Sequence, residues 1–344
     1  MKHTLRVTII IVALFLLAQI VGLAVANSYV DRQATRESGK VTMLALPSVL
    51  GVTFERPTFG NEFICPQQPA PTTIGGQLSQ AAQQAGEDLS KDSSYYVIPA
   101  IVVVGTVLIL LIMKFNLRIL WKLWFLFAIM MCLSFAFGAW LPGAAAFGLG
   151  LLLALWKVFK PNIIVHNLTE IFIYGGLVSI FIAVVSLWAA FALLVIISLY
   201  DMYAVWKSKH MVSLANFQKD TGLFAGLMVQ YSRGTQPARK EGTGTTRKEE
   251  TANVQSAVLG GGDIGFPLIF ATALFINKAQ MAMCYGATAD AALGKGLLAA
   301  SMVPLFAGIA LFILLMAAKK DRFYPAMPFI TLGCMAGWIL SFLF

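Results

Sequence analysis

The sequence predicts an all-α polytopic membrane protein, and three observations carry that prediction. Hydrophobic residues make up 58% of the chain and charged residues only 12%, with a mean hydropathy of +0.78, whereas an ordinary soluble domain is about 25% charged. Several stretches exceed the ~18 apolar residues that a membrane-spanning helix needs. Lys and Arg gather in the connections between those stretches, as membrane topology requires. The net charge of +9 is therefore a topological signal rather than one of nucleic-acid binding, and a soluble enzyme is excluded.

Nine apolar spans are expected, at 7–26, 96–114, 119–140, 143–159, 163–182, 187–206, 257–277, 291–317 and 325–343. Pro142-Gly143 and Pro161-Asn162 supply the turns around the fourth and separate it from its neighbours. The run 7–26 follows Lys2 and Arg6 and ends in Ala24-Val25-Ala26, which also resembles a cleavable signal peptide. Its length of about 20 residues is long for a signal core of 7–15, so a retained helix is expected.

Nine spans put every basic cluster on one side. Lys2, His3 and Arg6 precede the first span, Lys114, Arg118 and Lys122 surround the second connection, and Lys157 and Lys160 follow the fourth span. Lys207, Lys209, Lys219, Arg233, Arg239, Lys240, Arg247 and Lys248 fill the connection after the sixth, and Lys319, Lys320 and Arg322 follow the eighth. By the positive-inside rule the N-terminus is cytoplasmic and Phe344 lies outside.

The chain then divides into a first span at 1–26, an outer loop at 27–95, spans two to six at 96–206, a cytoplasmic loop at 207–256 and spans seven to nine at 257–344. The outer loop is rich in Gln, Ala, Ser and Pro, and its apolar patch Met43–Phe54 suits a membrane surface. The middle of the cytoplasmic loop, Arg233–Glu250, has almost no apolar content and is expected to be flexible.

Two aspartates stand inside apolar spans. Asp201 lies on the sixth, in Leu199-Tyr200-Asp201-Met202-Tyr203, and Asp263 on the seventh, after Gly260-Gly261-Gly262. A carboxylate at membrane depth costs roughly 3 kcal/mol on insertion scales and is usually functional. Each lies about six residues from the cytoplasmic end of its span, so at ~1.5 Å per residue both sit roughly 9 Å below that surface. Adjacent antiparallel helices can then place them face to face. Such a pair, sharing a proton and titrating as a unit, can activate water with one carboxylate and protonate a scissile carbonyl with the other.

The surrounding residues suit that chemistry. Glycines before Asp263 let helix backbones or an extended substrate approach closely. A substrate helix must unwind to expose its amide, because its own hydrogen bonds shield it. Tyr324-Pro325-Ala326-Met327-Pro328 opens the ninth span on the cytoplasmic side, where its prolines can form one wall of a cleft.

Taken singly these signals are bland. A lone membrane aspartate serves as well for ion binding or helix packing, a glycine run for packing, and a proline for a helix start. Their weight lies in their order on three spans at one depth. Other features carry less. His210 reads as interfacial, and His3 and His166 as membrane-edge residues. No cluster has metal-ligand spacing, and no cofactor is expected. Cys132, Cys284 and Cys334 read as buried thiols, with a Cys65–Cys284 disulfide as the alternative. Asn167-Leu168-Thr169 matches a glycosylation sequon but falls on the inner side, and the Gly261–Gly265 and Gly333–Gly337 spacings suit packing.

Together these motifs resemble the presenilin and signal peptide peptidase family of intramembrane aspartyl proteases, most of all its archaeal presenilin homologues. Tyr200-Asp201 matches the YD motif, Gly260-Gly261-Gly262-Asp263 the GxGD motif, and Pro325-Ala326-Met327 the PAL motif with Met in place of Leu. Lys209-His210-Met211 also looks like the archaeal homologues. The resemblance covers roughly residue 96 to the end and implies a presenilin-like nine-helix layout. It implies that Asp201 and Asp263 form the catalytic pair. Tyr200, Gly260, Gly261 and Gly262 would shape the site, and Pro325, Ala326 and Met327 would line the cleft and bind substrate. The Leu-to-Met change preserves volume and should preserve activity.

The implied partners are transmembrane-helix substrates of type I orientation in a lipid bilayer. Nucleic acid is not among them, no accessory subunit should be required, and a homo-oligomer is compatible with the sequence. Compact loops suggest a microbial chain, and hence the plasma membrane. Two alternatives remain. A prepilin-peptidase-like protease also has a GxGD motif, but its aspartates lie on earlier spans. A channel or transporter could use the acidic pair, but it has no need of the three motifs together.

Overall fold

The computed structural model describes residues 5–47, 118–160, 162–182, 185–205, 224–232, 254–318 and 324–343. The expected second span at 96–114, most of the outer loop and most of the cytoplasmic loop lie outside these residues, as do Lys209-His210-Met211. The described chain is mostly helical. Its elements are α1 (Leu5–Ser28), a short α2 (Arg32–Ser38), α3 (Arg118–Gly138), α4 (Gly143–Phe159), α5 (Ile163–Phe181), α6 (Leu187–Tyr203), α7 (Gly261–Cys284), α8 (Ala289–Ala317) and α9 (Met327–Leu340), with strands β1 (Gly226–Ser232) and β2 (Val254–Gly260) ahead of α7. α1, α3, α5, α7 and α8 are long and apolar enough to cross a membrane; α4, α6 and α9 are apolar but shorter.

Local chemistry sets several boundaries. Asn162 caps α5 by accepting from the Ile164 amide at 2.9 Å, and Ser186 caps α6 by accepting from the Ala189 amide at 3.3 Å. Both caps stand at the breaks that separate neighbouring apolar runs. Asp31 does the same for α2, outside the spans, with its carboxylate accepting from Ala34.

Three expectations are corrected. The chain is not purely α-helical, because residues 254–260 form β2 rather than the start of the seventh span. β2 pairs antiparallel with β1, Gly226 opposite Gly260 and Ser232 opposite Val254. Burial alternates along Ala257, Val258 and Leu259, which are buried, exposed and buried, as on a half-covered strand, and Gly260 ends the strand before the helix begins at Gly261. Cys284 is disulfide-bonded while Cys132 and Cys334 are free and buried; Cys65, the remaining cysteine, lies outside the described residues. Lys157 is no loop marker: it belongs to α4 and is buried.

α7 is the central helix. In its most apolar window 72% of residues are buried, against 39–44% in the other long helices, and it packs against α1, α5, α6, α8, α9 and the ribbon. Trp338 of α9 ties the helices that carry the three motifs, with ring centroids 5.8 Å from Trp188 and 5.6 Å from Phe191 of α6 and 5.8 Å from Phe270 of α7. These aromatic contacts hold α6, α7 and α9 as one unit.

Elsewhere the helices meet backbone to backbone. A Cβ at Gly337 would stand 2.5 Å from the Met302 carbonyl oxygen and 2.7 Å from the Val303 Cα, and one at Gly333 would stand 2.6 Å from the Phe306 carbonyl oxygen. Gly333–Gly337 is thus the seam of α9 on α8, where small residues replace the hydrophobic effect as the basis of association. Gly337→Val is expected to cost about 2–3 kcal/mol through overpacking, read as a lower melting temperature in detergent. An unchanged melting temperature would show that α9 has room to move.

Candidate active site

Asp201, Asp263 and Met327 stand at three helix ends. Asp201 is the third residue from the end of α6, which widens into a π turn at 204–205. Asp263 is the third residue of α7, and Met327 the first of α9. Both aspartates therefore lie in terminal turns, not a turn and a half inside their helices as the apolar runs suggest. The ribbon is the reason at Asp263, since β2 keeps the chain extended through Gly260 and the helix starts only at Gly261.

Each carboxylate is held by main-chain amides. The Met327 N–H donates to Asp201 Oδ2 at 3.1 Å, and the Ala326 N–H also donates to this carboxylate. Asp201 thus sits on the N-terminus of α9, where unpaired amides and the helix dipole favour an anion. Asp263 occupies the N3 position of α7 and reaches back to the N–H of Gly260, the N-cap. This is one half of a capping box. Asp263 lies within electrostatic reach of Asp201. Asp201 is buried and Asp263 half-buried.

The glycines before Asp263 have separate surroundings. A Cβ at Gly260 would stand 3.3 Å from Asp263 Oδ2. One at Gly261 would stand 2.9 Å from the Tyr174 hydroxyl and 3.4 Å from the Ala225 carbonyl oxygen. Gly262 is exposed, and its Cβ would meet only the Phe266 ring, at 3.3 Å. Pro267, four residues after Asp263, leaves the Asp263 carbonyl without its helical donor.

Of the other residues singled out in the sequence, Pro325 is buried, Ala326 half-buried and Met327 buried beside Asp201. Tyr200 is 64% exposed on α6 and stands outside the packed interior. His166 is not simply a membrane-edge residue: its Nε2 lies 2.8 Å from the Gly226 carbonyl oxygen. Asn167 grips the same strand twice, donating to the Met228 carbonyl at 2.7 Å and accepting from the Met228 amide at 2.9 Å. Together these contacts occupy the edge of β1 that faces away from β2.

Three further polar residues support the site and escape the reading of the sequence. Glu170 on α5 is a buried intramembrane carboxylate paired with Lys157 of α4. The Tyr174 hydroxyl donates to Glu170 Oε2 at 2.6 Å. Gln19 of α1 is fully buried, and its Nε2 donates to the Ile264 carbonyl at 2.8 Å, one residue beyond Asp263. The rule that picks out Asp201, a polar group inside an apolar run, picks out Gln19 and Glu170 as well.

Residues 74–344 match the family described as signal-peptide peptidase, presenilin aspartyl protease. No curated protein matches the sequence. A solved structure of a presenilin family intramembrane aspartate protease is similar at 12% identity and a TM-score of 0.48, over 98% of each chain. The family match includes all three motif-bearing segments, from Tyr200-Asp201 through Gly260–Asp263 to Pro325–Met327. The chain is a multi-pass integral membrane protein and belongs to the signal-peptide peptidase and presenilin family of intramembrane aspartyl proteases.

Proposed function

We propose that Asp201 and Asp263 are the catalytic pair of this protease and that it cuts peptide bonds within transmembrane segments of other proteins. The observation that carries this reading is that they stand at the ends of the packed helices α6 and α7, within electrostatic reach of each other, with Asp201 anchored on the α9 amides of Ala326 and Met327. The two carboxylates share one proton. The ionised one takes a proton from water as it attacks the scissile carbonyl. The protonated one donates to the carbonyl oxygen, giving a gem-diol; the proton taken from water then passes to the amine nitrogen as the C–N bond breaks, and a gem-diol hydroxyl returns a proton to the pair as the carboxyl product forms. The base and acid roles belong to the pair.

The depth of the pair suits this task. Asp263 and Lys278 lie on the same helix, and the fifteen helical steps from one to the other span about 22 Å, against a hydrocarbon core of roughly 30 Å. With the Lys278 ammonium at the outer interface, the carboxylates stand some way below the opposite surface. Water must reach them through a polar cleft, and helix ends are tolerated at that depth only where they border such a cleft. Tyr200, Gly260, Gly261 and Gly262 shape the cleft, and Pro325, Ala326 and Met327 form its wall.

The same reading keeps nine spans with the N-terminus cytoplasmic and Phe344 outside, in the plasma membrane of a microbial cell. Residues 1–26 are the retained first span, 27–95 the outer loop, 207–260 the cytoplasmic connection that includes the ribbon, and 96–206 and 261–344 the two segments whose helices carry the aspartates. Substrates are single-span proteins of type I orientation, and the enzyme works without accessory subunits. The test is cleavage of a single-span reporter by the purified protein in liposomes, with product masses locating the cut. A cut inside the span supports the reading. Ion flux without cleavage would replace the protease by a channel.

A further inference from the structure

One face of α5 carries the support for the glycine turn. His166, Glu170, Tyr174 and Leu177 recur at helical spacing, and each touches the ribbon, its own network or α7. His166 meets the Gly226 carbonyl, and Leu177 Cδ2 lies 3.4 Å from where a Gly265 Cβ would stand. Between them, the Tyr174 hydroxyl lies beneath Gly261 and its other neighbour is the Glu170 carboxylate. Glu170 in turn is held by Lys157, and the side chains of this pair are each only 2% exposed.

A buried ion pair is weak evidence of a stability device. Desolvating a carboxylate and an ammonium costs several kcal/mol per ion, and apolar replacements of similar volume are often neutral or stabilising. What this pair achieves is to orient a carboxylate oxygen toward Tyr174. With Lys157 on Oε1, Oε2 is left to accept from the tyrosine hydroxyl. The ring is thereby fixed against Gly261, two residues from Asp263, and Tyr174 is close enough to feel the charge of Asp263.

We propose that Lys157, Glu170 and Tyr174 form a chain of positioning residues that holds the Gly260–Asp263 turn in its reactive place. None of the three touches the reacting atoms. Lys157 orients Glu170, Glu170 orients Tyr174, and Tyr174 forms the floor on which Gly261 rests. The inference builds on the assignment of Asp263 to the catalytic pair, but its structural content can be read without activity.

The experiment compares the full-length wild type with Tyr174→Phe, with the charge-free double variant Lys157→Met/Glu170→Leu, and with the triple variant. Melting temperature, kcat and KM on the single-span reporter, and amide hydrogen exchange at 258–266 are measured. The triple variant leaves neither a buried unpaired charge nor an unpaired tyrosine hydroxyl and is expected to melt no lower than wild type. Tyr174→Phe and the double variant are each expected to lose about tenfold in kcat, the worth of one hydrogen bond to a charged group, with KM unchanged. The triple variant should lose no more than either, because the residues act in series. Exchange at 258–266 should rise in all three.

Wild-type kcat in the double variant, or losses that multiply in the triple, would overturn the inference, since the pair would then only tie α4 to α5. Unchanged exchange at 258–266 would overturn it too, even with an inactive wild type. Absence of wild-type cleavage combined with raised exchange would instead sink the protease assignment while sustaining the support of the turn.

Discussion

Asp201→Asn and Asp263→Asn are each expected to abolish cleavage of a single-span reporter, with a drop of about 10³-fold or more in kcat, because each removes one partner of a general acid–base pair. Neither substitution should unfold the protein. Asn at 201 retains an oxygen to accept from the Met327 amide, the contact that seats Asp201 on α9 at 3.1 Å. Asn at 263 retains the acceptor for the Gly260 N–H, and a neutral amide costs less to bury than an ionised carboxylate. The expected pattern is therefore inactivity with a melting temperature at or above that of wild type. Cleavage that survives either substitution would remove that residue from the mechanism. Inactivity accompanied by unfolding would make the carboxylates structural anchors instead.

The second large effect is expected from the glycine turn, and it should differ by position. Gly261→Val would place a branched side chain against the Tyr174 hydroxyl, 2.9 Å from its first carbon, and the Ala225 carbonyl, 3.4 Å away. The turn must lift, and a displacement of the order of 1 Å at a catalytic carboxylate can cost about a hundredfold in rate. Gly260→Ala should be milder, because its methyl crowds only Asp263 Oδ2, at 3.3 Å. Gly262→Ala should stay near wild-type activity, since that position is exposed and its neighbour is the Phe266 ring of the same helix. Kinetics of the three variants on the same reporter test the order. Equal losses at all three positions would mean that the turn needs glycine for backbone freedom rather than for the close approach of Tyr174.

The resemblance read from three short motifs is borne out by the family match over 74–344, because it rests on residue types that stay rare whatever the fold around them. An aspartate in an apolar run is visible at once, and so is Gly-Gly-Gly ahead of it. Membrane helices hide more than they show, however. Their apolar residues face both lipid and protein, so periodicity does not reveal which side packs. α7 and α3 look alike as apolar runs, yet one is the buried centre and the other lies at the periphery. Polar groups are then the surest guide, and the same rule applied evenly would have included Gln19 and Glu170 beside the two aspartates.

The ribbon was hidden for a different reason. Residues 254–260 become a strand because 226–232 lie alongside them, and a short apolar run followed by glycines can be read as the foot of a helix until that partner is known. Lys157 was misplaced for the same kind of reason. In the chain it follows an apolar run and resembles a cytoplasmic marker, and only the approach of α5 supplies the carboxylate that lets it be buried.

By itself, then, the sequence determined the class of the protein and its family, and singled out two carboxylates as candidates, because burial cost and residue rarity are local properties. The tertiary structure decided what holds those carboxylates: the Met327 amide on Asp201, the Gly260 amide on Asp263, and the Tyr174 hydroxyl under Gly261. The Asp201 and Tyr174 contacts join residues far apart in the chain. The Gly260 contact spans only three residues but exists because the ribbon delays the start of α7. Such pairings depend on where helices end and meet, which no single segment encodes.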